Sequence, residues 1–362
     1  MFVLSKLGLF RSRENPVMIG LENCHPWRTN QSVIQRFILL RFRRQLSFLA
    51  MFLVLCPNAV FGWSEGGHRI IALLAYDLLS KEEQARFQEL LSSHPRFEID
   101  FTAPEKLPND EEVARWRVGR AGYWPDVARK QPTYNRPNWH YELGSTKSVG
   151  DLSKLKVPAF PGPLPTVANL ETQELYASQA IALCRKVLTD SSSVAGDRAI
   201  ALSWLGHLVA DVHQPCHAGS LYMEEVFPEG DRGANSIKTK QRRNMHALWD
   251  GLLGEDFSLQ GTRKRMAEIR GDLELVGLGT MAVSKPDSLD PQTWLSESRS
   301  IALESVYSAE VMAHLQLVTR GFTETPETLD LSETYLKNAG RVAQGRAIEA
   351  AHRLAAIWCE GL

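Results

Sequence analysis

The chain has 362 residues, of which 44% are hydrophobic and 23% are charged, as in a globular protein with a sizeable core. Its formal net charge is -1, but residues 1–62 carry eight basic and two acidic residues, so residues 63–362 carry 33 basic and 40 acidic ones. A net charge of -7 argues against binding a polyanion by bulk electrostatics. If residues 63–362 bind a polyanion, metal ions and local side chains must supply the positive charge.

The N-terminal segment has the order of a secretory signal. Basic residues 41–44 precede an apolar run at 46–60, with small Gly62 directly before Trp63. This order predicts a leader over 1–62 that is removed before Trp63, leaving one domain over 63–362. We therefore expect a secreted or periplasmic protein without stable membrane association after cleavage.

Three alternatives remain open for this segment. The apolar run is shorter than the roughly 20 residues of a membrane-spanning helix, which disfavours a permanent anchor. A lipoprotein signal ending at Cys56 fits poorly because Leu55 precedes the cysteine, and translation could begin at Met18.

The mature part keeps only Cys184, Cys216 and Cys359, which allows one disulfide but not a disulfide framework.

Apolar residues at helical spacing predict most of the regular structure. In chain order the predicted helices cover 65–80, 81–93, 110–120, 171–188, 196–211, 244–253, 291–318 and 332–360. The segment 101–170 is rich in proline, aromatic residues and asparagine, and predicts long loops around its short helix. Alternating strand patterns are nearly absent, with at most a small hairpin around 227–238. The predicted architecture is a single all-α, multi-helix domain with long loops.

Two helical segments each place a histidine four residues before an aspartate. The pairs are His207 with Asp211 and His246 with Asp250, and His217 follows the first pair closely. Positions i and i+4 share one helix face, so each pair directs an imidazole and a carboxylate to one spot. Zinc prefers such ligands, although a helical ion pair is the alternative interpretation of each motif.

Three further candidate ligands lie in aromatic or loop contexts. These are His68 near Trp63, Asp126 after Trp124, and His140 after Trp139. Asp126 could instead cap a turn, and His140 could be a loop hydrogen-bonding residue. Together with the motif residues they make eight candidate ligands, which are too many for one tetrahedral zinc and suit two or three ions. Bridged metal pairs are typical of phosphoryl-transfer hydrolases.

The order of these motifs resembles that of a known family. The chain shows Trp-x4-His from Trp63, Trp-x-Asp, Trp-His-Tyr, Gly-His-x3-Asp-x-His-Gln-Pro-x-His, Gly-Asp-x-Gly-x-Asn and His-x3-Asp. This series is similar to the secreted, three-zinc, single-strand-specific nucleases of the S1/P1 type, over essentially all of 63–362. The resemblance implies the fold shared by those nucleases and zinc-dependent phospholipase C.

The resemblance also implies a ligand set for three Zn²⁺ ions. The α-amino nitrogen and carbonyl oxygen of Trp63, with His68 and Asp211, would hold the first ion. Asp126, His140 and His207 would hold its neighbour, and Asp211 would bridge the two. His217, His246 and Asp250 would hold the third.

The family activity would be endonuclease and 3′-nucleotidase hydrolysis. A zinc-bridging hydroxide would cleave 3′ P–O bonds of single-stranded RNA or DNA, and of 3′-nucleotides, to leave 5′-phosphorylated products. Asp126, Asp211 and Arg129 would be the catalytic residues, and we expect the enzyme to be a monomer.

Substrate contacts are less clearly indicated. Arg129 could neutralise a phosphate or pair with a ligand carboxylate, and Tyr141 could stack on a base or pack in the core. Asp231 and Asn235 match the family loop but could equally stabilise a turn. Family enzymes often have an acidic base-contact residue where this chain has Leu143, which leaves the base preference undefined.

Two other functions compete with the nuclease. Zinc-dependent phospholipase C shares the architecture, but its first histidine lies further from the N-terminal tryptophan, and a glutamate commonly replaces one ligand aspartate. Trp63-x4-His68 and Asp250 therefore favour the nuclease. A non-catalytic secreted zinc-binding protein is the other alternative. Structural zinc sites are closed and often use cysteine, which is absent from this ligand set.

Overall fold

The computed structural model of the protein describes residues 62–362, so the predicted signal segment lies outside the described residues. Thirteen α-helices account for most of the regular structure of this part. In chain order they are α1 Glu65–Tyr76, α2 Lys81–Ser92, α3 Phe97–Asp100, α4 Asp110–Ala128, α5 Ala177–Thr189, α6 Ala195–Val212, α7 Pro215–Ala218, α8 Met245–Asp250, α9 Leu259–Arg270, α10 Leu273–Ala282, α11 Pro291–Ile301, α12 Ala309–Thr319 and α13 Glu333–Gly361. The prediction of an all-α protein is confirmed.

Polar side chains define where many of these helices begin. Ser64 caps α1 by accepting the N–H of Gly67 at 3.3 Å. Ser80 and Glu83 form a reciprocal capping box at the start of α2. Such side chains satisfy backbone N–H groups that the first turn of a helix leaves without partners. The cap at Ser64 fixes the start of the helix that carries His68.

Helix α6 lies at the centre of the larger of two hydrophobic cores. Every residue from Ala199 to Val212 is buried, because α4, α5 and α13 pack around it. A smaller core joins β2, α8, α12 and the start of α13 around Trp249. A helix that is buried on all sides is held by packing over its whole length. Within residues 62–362, none of the helices has the length and apolar character that crossing a membrane requires.

The small sheet differs from the predicted hairpin. Strands β1 Gly144–Val149 and β2 Gly219–Met223 pair in parallel, whereas 227–238 forms loops with one isolated antiparallel bridge. All five residues of β2 are buried, so β2 lacks the alternating pattern that marks a half-exposed strand. Its partner lies some 70 residues earlier, which a local pattern cannot indicate.

Helix boundaries differ from the prediction at several places, including the helix predicted over 171–188, which begins at Ala177. Helix α4 continues to Ala128 despite Pro125, so Asp126 lies on a helix rather than in a loop. Helices α9 and α10 were not predicted, although α9 buries Thr262, Met266 and Ile269 at helical spacing. The predicted helix over 291–318 is two helices, because a π-helical turn at Ala302–Val306 separates α11 from α12. Pro125 lies in the last turn of α4, where its lack of an N–H removes one helical hydrogen bond, to the carbonyl of Ala121.

His94 makes the stability of this core depend on pH. Its side chain is buried against Trp124, its Nδ1 accepts the N–H of Arg96 at 3.1 Å, and burial lowers its pKa to about 3. The unfolded chain therefore binds a proton below pH 6.5 that the folded chain excludes. We expect folding stability to fall between pH 6.5 and 3, by up to about 1.4 kcal/mol per pH unit from this residue.

Urea unfolding at pH 7 and 4.5, with zinc present at both, tests this expectation. His94→Gln should reduce the difference in unfolding free energy between the two pH values, even if it lowers stability at pH 7. An unchanged difference would show that His94 does not titrate on unfolding in this way.

Candidate metal centre

His207 and Asp211 face the same side of α6, as their i,i+4 spacing predicts. His207 Nε2 lies 3.2 Å from Asp211 Oδ2, and both side chains are fully buried. His207 Nδ1 donates to the carbonyl oxygen of Gly122 in α4 at 3.0 Å, which fixes the orientation of the ring. This pair forms the middle of a larger cluster.

Three more side chains converge on this pair from other elements. His68 comes from α1, Asp126 from the last turn of α4, and His140 from a 3-10 turn over Pro137–His140. His68 Nε2 lies 3.4 Å from Asp211 Oδ1, whereas His140 Nδ1 lies 3.1 Å from Asp211 Oδ2. The two oxygens of Asp211 therefore face different imidazoles.

The cluster contains two groups of potential ligands that share His207. His68, His207 and Asp211 form one group, and Asp126, His140 and His207 form the other. In each group the potential ligand atoms lie within 4.8 Å of one another. The sequence-based grouping placed His207 only with Asp126 and His140, so the sharing of His207 is a feature that the structure adds.

His217, His246 and Asp250 form a third group beside the first two. Their elements are α7 and α8, and His217 Nε2 lies 3.1 Å from His246 Nε2. His217 Nδ1 donates to the carbonyl of His140, and His246 Nδ1 donates to that of Gly233, both at 2.6 Å. In the neutral rings each Nε2 then carries a lone pair, and the two lone pairs converge.

Several buried polar atoms of the cluster make no hydrogen bond to another described residue. They are both ring nitrogens of His68, Nε2 of His140, Oδ2 of Asp126 and Oδ1 of Asp211. Each buried polar atom without a partner costs about 1–3 kcal/mol, so a group of them requires an explanation. A bound cation would satisfy the lone pairs among these atoms, and the residues therefore fit metal ions.

The electrostatics of most residues in the first two groups favour the protonation states that bind metals; His207 is the exception, since burial lowers its pKa but Asp211 and Asp126 outweigh burial and raise it. Burial lowers the pKa of His68, and burial together with Arg129 lowers that of His140 to about 3. Burial opposes ionisation of Asp211, but His207 and His217 outweigh it and hold its pKa well below the usual range. Neutral imidazoles and ionised carboxylates are the forms that metals bind.

Asp250 in the third group behaves differently. Burial, followed by the charges of Asp211 and Asp126, raises its pKa well above the usual range, although Gln214 opposes this. Gln214 Nε2 donates to Asp250 Oδ1 at 2.6 Å. Gln214 was not singled out from the sequence, but its position between His213 and Pro215 of the Asp-x-His-Gln-Pro motif could have indicated it. A nearby cation would offset the repulsion among these carboxylates.

The backbone before α1 approaches the same cluster. Trp63 is fully buried, and its Nε1 donates to the carbonyl of Ala210 at 3.0 Å. A Cβ atom added to Gly62 would lie 1.7 Å from Asp211 Oδ1 and 3.0 Å from His68 Nε2. The chain at 62–63 thus lies directly against His68 and Asp211, where only glycine fits.

Arg129 and Tyr141 lie beside the cluster. Arg129 Nε donates to Asp126 Oδ1 at 2.6 Å, so the ion pair with a candidate ligand, which the sequence left open, is present. Asp126 Oδ1 also lies 3.9 Å from His207 Nε2, while Oδ2 is buried without a hydrogen bond to another described residue. Tyr141 is half-buried, and its hydroxyl donates to Asn138 Oδ1 at 3.3 Å.

The loop that contains Asp231 and Asn235 anchors the third group. Asp231 is fully buried, burial raises its pKa to about 6, and its side chain accepts the N–H of Leu221 at 3.1 Å. Asn235 accepts a hydrogen bond from Asn244, the cap of α8, at 3.2 Å. These contacts favour the turn-stabilising alternative for both residues. Arg232, between them in sequence, is exposed and was not singled out from the sequence.

Three buried groups of histidine and aspartate side chains that could hold metal ions resemble the sites of metal-dependent hydrolases. The model of the S1/P1 nuclease family matches residues 63–360 of this chain. The protein belongs to the S1/P1 nuclease family, which confirms the resemblance seen in its sequence.

Three relatives from Arabidopsis thaliana carry endonuclease names. Endonuclease 4 is 36% identical over 202 residues, covering 55% of this chain and 57% of that protein. Endonuclease 2 is 24% identical over 206 residues, which cover 55% of this chain and 58% of that protein. Endonuclease 1 is 22% identical over 319 residues, which cover 84% of this chain and 89% of that protein. This chain thus spans a little over half the length of the first two and most of the third.

Proposed function

We propose that the protein is a secreted, three-zinc endonuclease and 3′-nucleotidase that hydrolyses 3′ P–O bonds of single-stranded RNA and DNA. The products would carry 5′-phosphates, and the enzyme would act as a secreted or periplasmic monomer without stable membrane association. The observation that carries this proposal is the arrangement of eight buried histidine and aspartate side chains in three groups on a nuclease fold.

The spacing of the potential ligand atoms supports zinc. Two ligands at about 2.0–2.1 Å from one tetrahedral ion lie about 3.3 Å apart. The separations are 3.2 Å for His207–Asp211, 3.4 Å for His68–Asp211, 3.1 Å for His217–His246 and 3.6 Å for His246–Asp250. Nitrogen and oxygen donors without a thiolate are also within the ligand range of zinc.

The ligand set that we propose follows the three groups. The first ion would bind His68, Asp211 and the amino nitrogen and carbonyl oxygen of Trp63. The second would bind Asp126, His140 and His207. Asp211 suits a bridging position because Oδ1 faces His68 and Oδ2 faces His140 and His207. His217, His246 and Asp250 would bind the third ion.

When bound, zinc ions would lower the pKa of coordinated water and offset the charge of the phosphate and the departing 3′ oxygen. The protein orients its ligands through backbone carbonyls, since His207, His217 and His246 each donate Nδ1–H to one. Gln214 holds Asp250, and Arg129 holds Asp126 while adding positive charge beside the phosphate site. Such local positive charge would let a polyanion bind although residues 63–362 carry a net negative charge.

Three substrates test the proposed reaction. Purified mature protein should degrade single-stranded DNA and RNA and release phosphate from 3′-AMP, and a zinc chelator should stop all three activities. Hydrolysis of phosphatidylcholine with inert polynucleotides would overturn the proposal in favour of a phospholipase. Binding of zinc without any hydrolysis would support a non-catalytic protein.

Cleavage before Trp63 should be required for full activity, because a peptide amide is a poor ligand whereas a free amine is a good one. We expect N-terminal sequencing of exported protein to begin at Trp63. Protein that retains Gly62 should lose about 10- to 100-fold in activity, the range observed when residues that support a metal site are altered.

A matched pair of proteins makes this test direct. One begins at Trp63 and the other at Gly62, both released from the same fusion by a protease that leaves no extra residue. Equal activity and equal zinc content in the two proteins would contradict a role for the Trp63 amine.

A further inference from the structure

The C-terminal helix α13 supplies none of the eight potential ligands, yet two of its arginines are buried next to them in the fold. Arg346 and Arg353 are only 1% and 3% exposed. Both bond to the turn at residues 212–214, between α6 and α7, which we call the α6–α7 turn. This turn connects Asp211 with His217, so it lies between two potential ligands.

Four hydrogen bonds from α11 and α13 hold the α6–α7 turn. Arg346 Nε donates to the carbonyl of His213 at 3.3 Å, and its Nη2 donates to Ser298 Oγ at 3.0 Å. Ser298 in turn donates to the carbonyl of Val212 at 2.6 Å. Arg353 Nη1 donates to His213 Nε2 at 2.8 Å. These donors satisfy carbonyl groups that the end of a helix leaves without partners.

The α6–α7 turn in turn positions the third group. Gln214, the last residue of the turn, donates to Asp250 Oδ1 at 2.6 Å and accepts the N–H of Cys216 at its Oε1 at 2.5 Å. Its carbonyl accepts the N–H of His217 at 2.9 Å. A shift of His213 would therefore move Gln214, and with it two of the three potential ligands of this group.

Stability alone does not account for two buried arginines at this place. Glu297 accepts hydrogen bonds from both of them, and Glu349 accepts one from Arg346 at 2.6 Å. Buried ion pairs recover little of their desolvation cost, and apolar side chains of similar volume often give equal or greater stability. A guanidinium instead fixes direction, because its five donors form a rigid, planar fork.

We propose that Arg346 and Arg353 are positioning residues of the candidate metal centre, which hold the α6–α7 turn so that the third group keeps the geometry that zinc requires. This proposal rests on the metal-dependent function proposed above. Both arginines act through the turn rather than on the ion itself. Substitution of residues that orient metal ligands changes metal affinity by about 10- to 100-fold.

Zinc binding by the mature protein tests the role of the two arginines. Arg346→Met removes the fork but fills a similar volume, and Glu297 keeps Arg353 as its partner. Dialysis against buffers of graded free zinc, followed by elemental analysis, should show that at least one of three ions requires about 10- to 100-fold more free zinc than in the wild type. Arg353→Met removes the donor to the His213 ring and should shift the curve in the same direction.

Melting temperatures separate positioning from a general loss of stability. A residue that only stabilises the fold would lower the melting temperatures of the zinc-free and zinc-bound proteins equally. Arg346→Met should instead reduce the rise in melting temperature that zinc produces, because a ligand that binds more weakly stabilises the native state less. Arg346→Lys keeps the charge and some donors, so its rise should lie between those of Arg346→Met and the wild type.

Two further variants complete the test. Arg341→Met is the matched control on α13, since Arg341 pairs with Asp272 and Glu274 at the start of α10, which supplies no potential ligand. It should leave the zinc-binding curve unchanged. Ser298→Ala removes only the donor to Val212, so it should shift the curve in the same direction as Arg346→Met without the loss of a charge.

The outcomes distinguish this proposal from the proposed function. A wild-type zinc-binding curve in Arg346→Met would overturn the positioning role, and Ser298→Ala decides in the same way if Arg346→Met does not fold. Equal falls of both melting temperatures would assign Arg346 to the stability of the core. If the wild type binds zinc but hydrolyses no nucleic acid, the proposed function fails while the zinc-binding curves still decide the role of Arg346.

Discussion

Replacing Asp211 with asparagine should lower kcat/KM for single-stranded DNA by about 10³-fold or more. The carboxylate faces His68 with one oxygen and His140 and His207 with the other, so the change removes a charge that lies against members of both of the first two groups. Electrostatic stabilisation at metal sites contributes several kcal/mol to the transition state, and about 1.4 kcal/mol corresponds to a factor of ten.

Asp197→Asn is the matched control for this prediction. Asp197 is exposed in the first turn of α6, so the same chemical change on the same helix should leave activity intact. Elemental analysis should show less bound zinc in Asp211→Asn than in the control. A variant of Asp211 that keeps both its zinc and its activity would refute the bridging assignment.

Removal of metal should abolish hydrolysis and also destabilise the fold. Without cations, the buried lone pairs of His68, His140, Asp126 and Asp211 remain unsatisfied. A ligand at 1,000 times its dissociation constant stabilises the native state by about 4 kcal/mol. For a domain of this size, that corresponds to a fall in melting temperature on the order of 10 °C.

Thermal unfolding with and without a chelator provides the measurement. Zinc added back in slight excess should restore both activity and melting temperature, whereas magnesium, which prefers oxygen ligands, should restore neither. The shift caused by the chelator should be smaller in Asp211→Asn than in the wild type. A melting temperature that the chelator does not change would contradict metal binding within the core.

Local sequence patterns predicted much of the fold and the proximity of the motif residues. The spacing of His207 and Asp211 was sufficient to predict that their side chains lie together, because helix geometry alone places i and i+4 on one face. Likewise, apolar periodicity indicated that helices dominate the chain. These features depend on a few consecutive residues, which a single sequence contains in full.

Features that depend on distant residues were not predictable in the same way. The parallel pairing of β1 with β2 joins segments some 70 residues apart, and β2 carries no alternating pattern because it is wholly buried. The sharing of His207 between two groups depends on how α1, α4 and α6 pack together.

The carbonyl anchors of the three histidines make the candidate site interdependent. His207 is held by Gly122, four residues before Asp126; His217 is held by the carbonyl of His140, which is itself a potential ligand. The remaining anchor, Gly233, belongs to the loop of Arg232 and orients His246. The third group is therefore positioned partly by the backbone of the second, so a substitution that moves His140 should also displace His217. The second and third groups should consequently gain or lose their metal ions cooperatively, and their contributions to activity cannot be assigned one residue at a time.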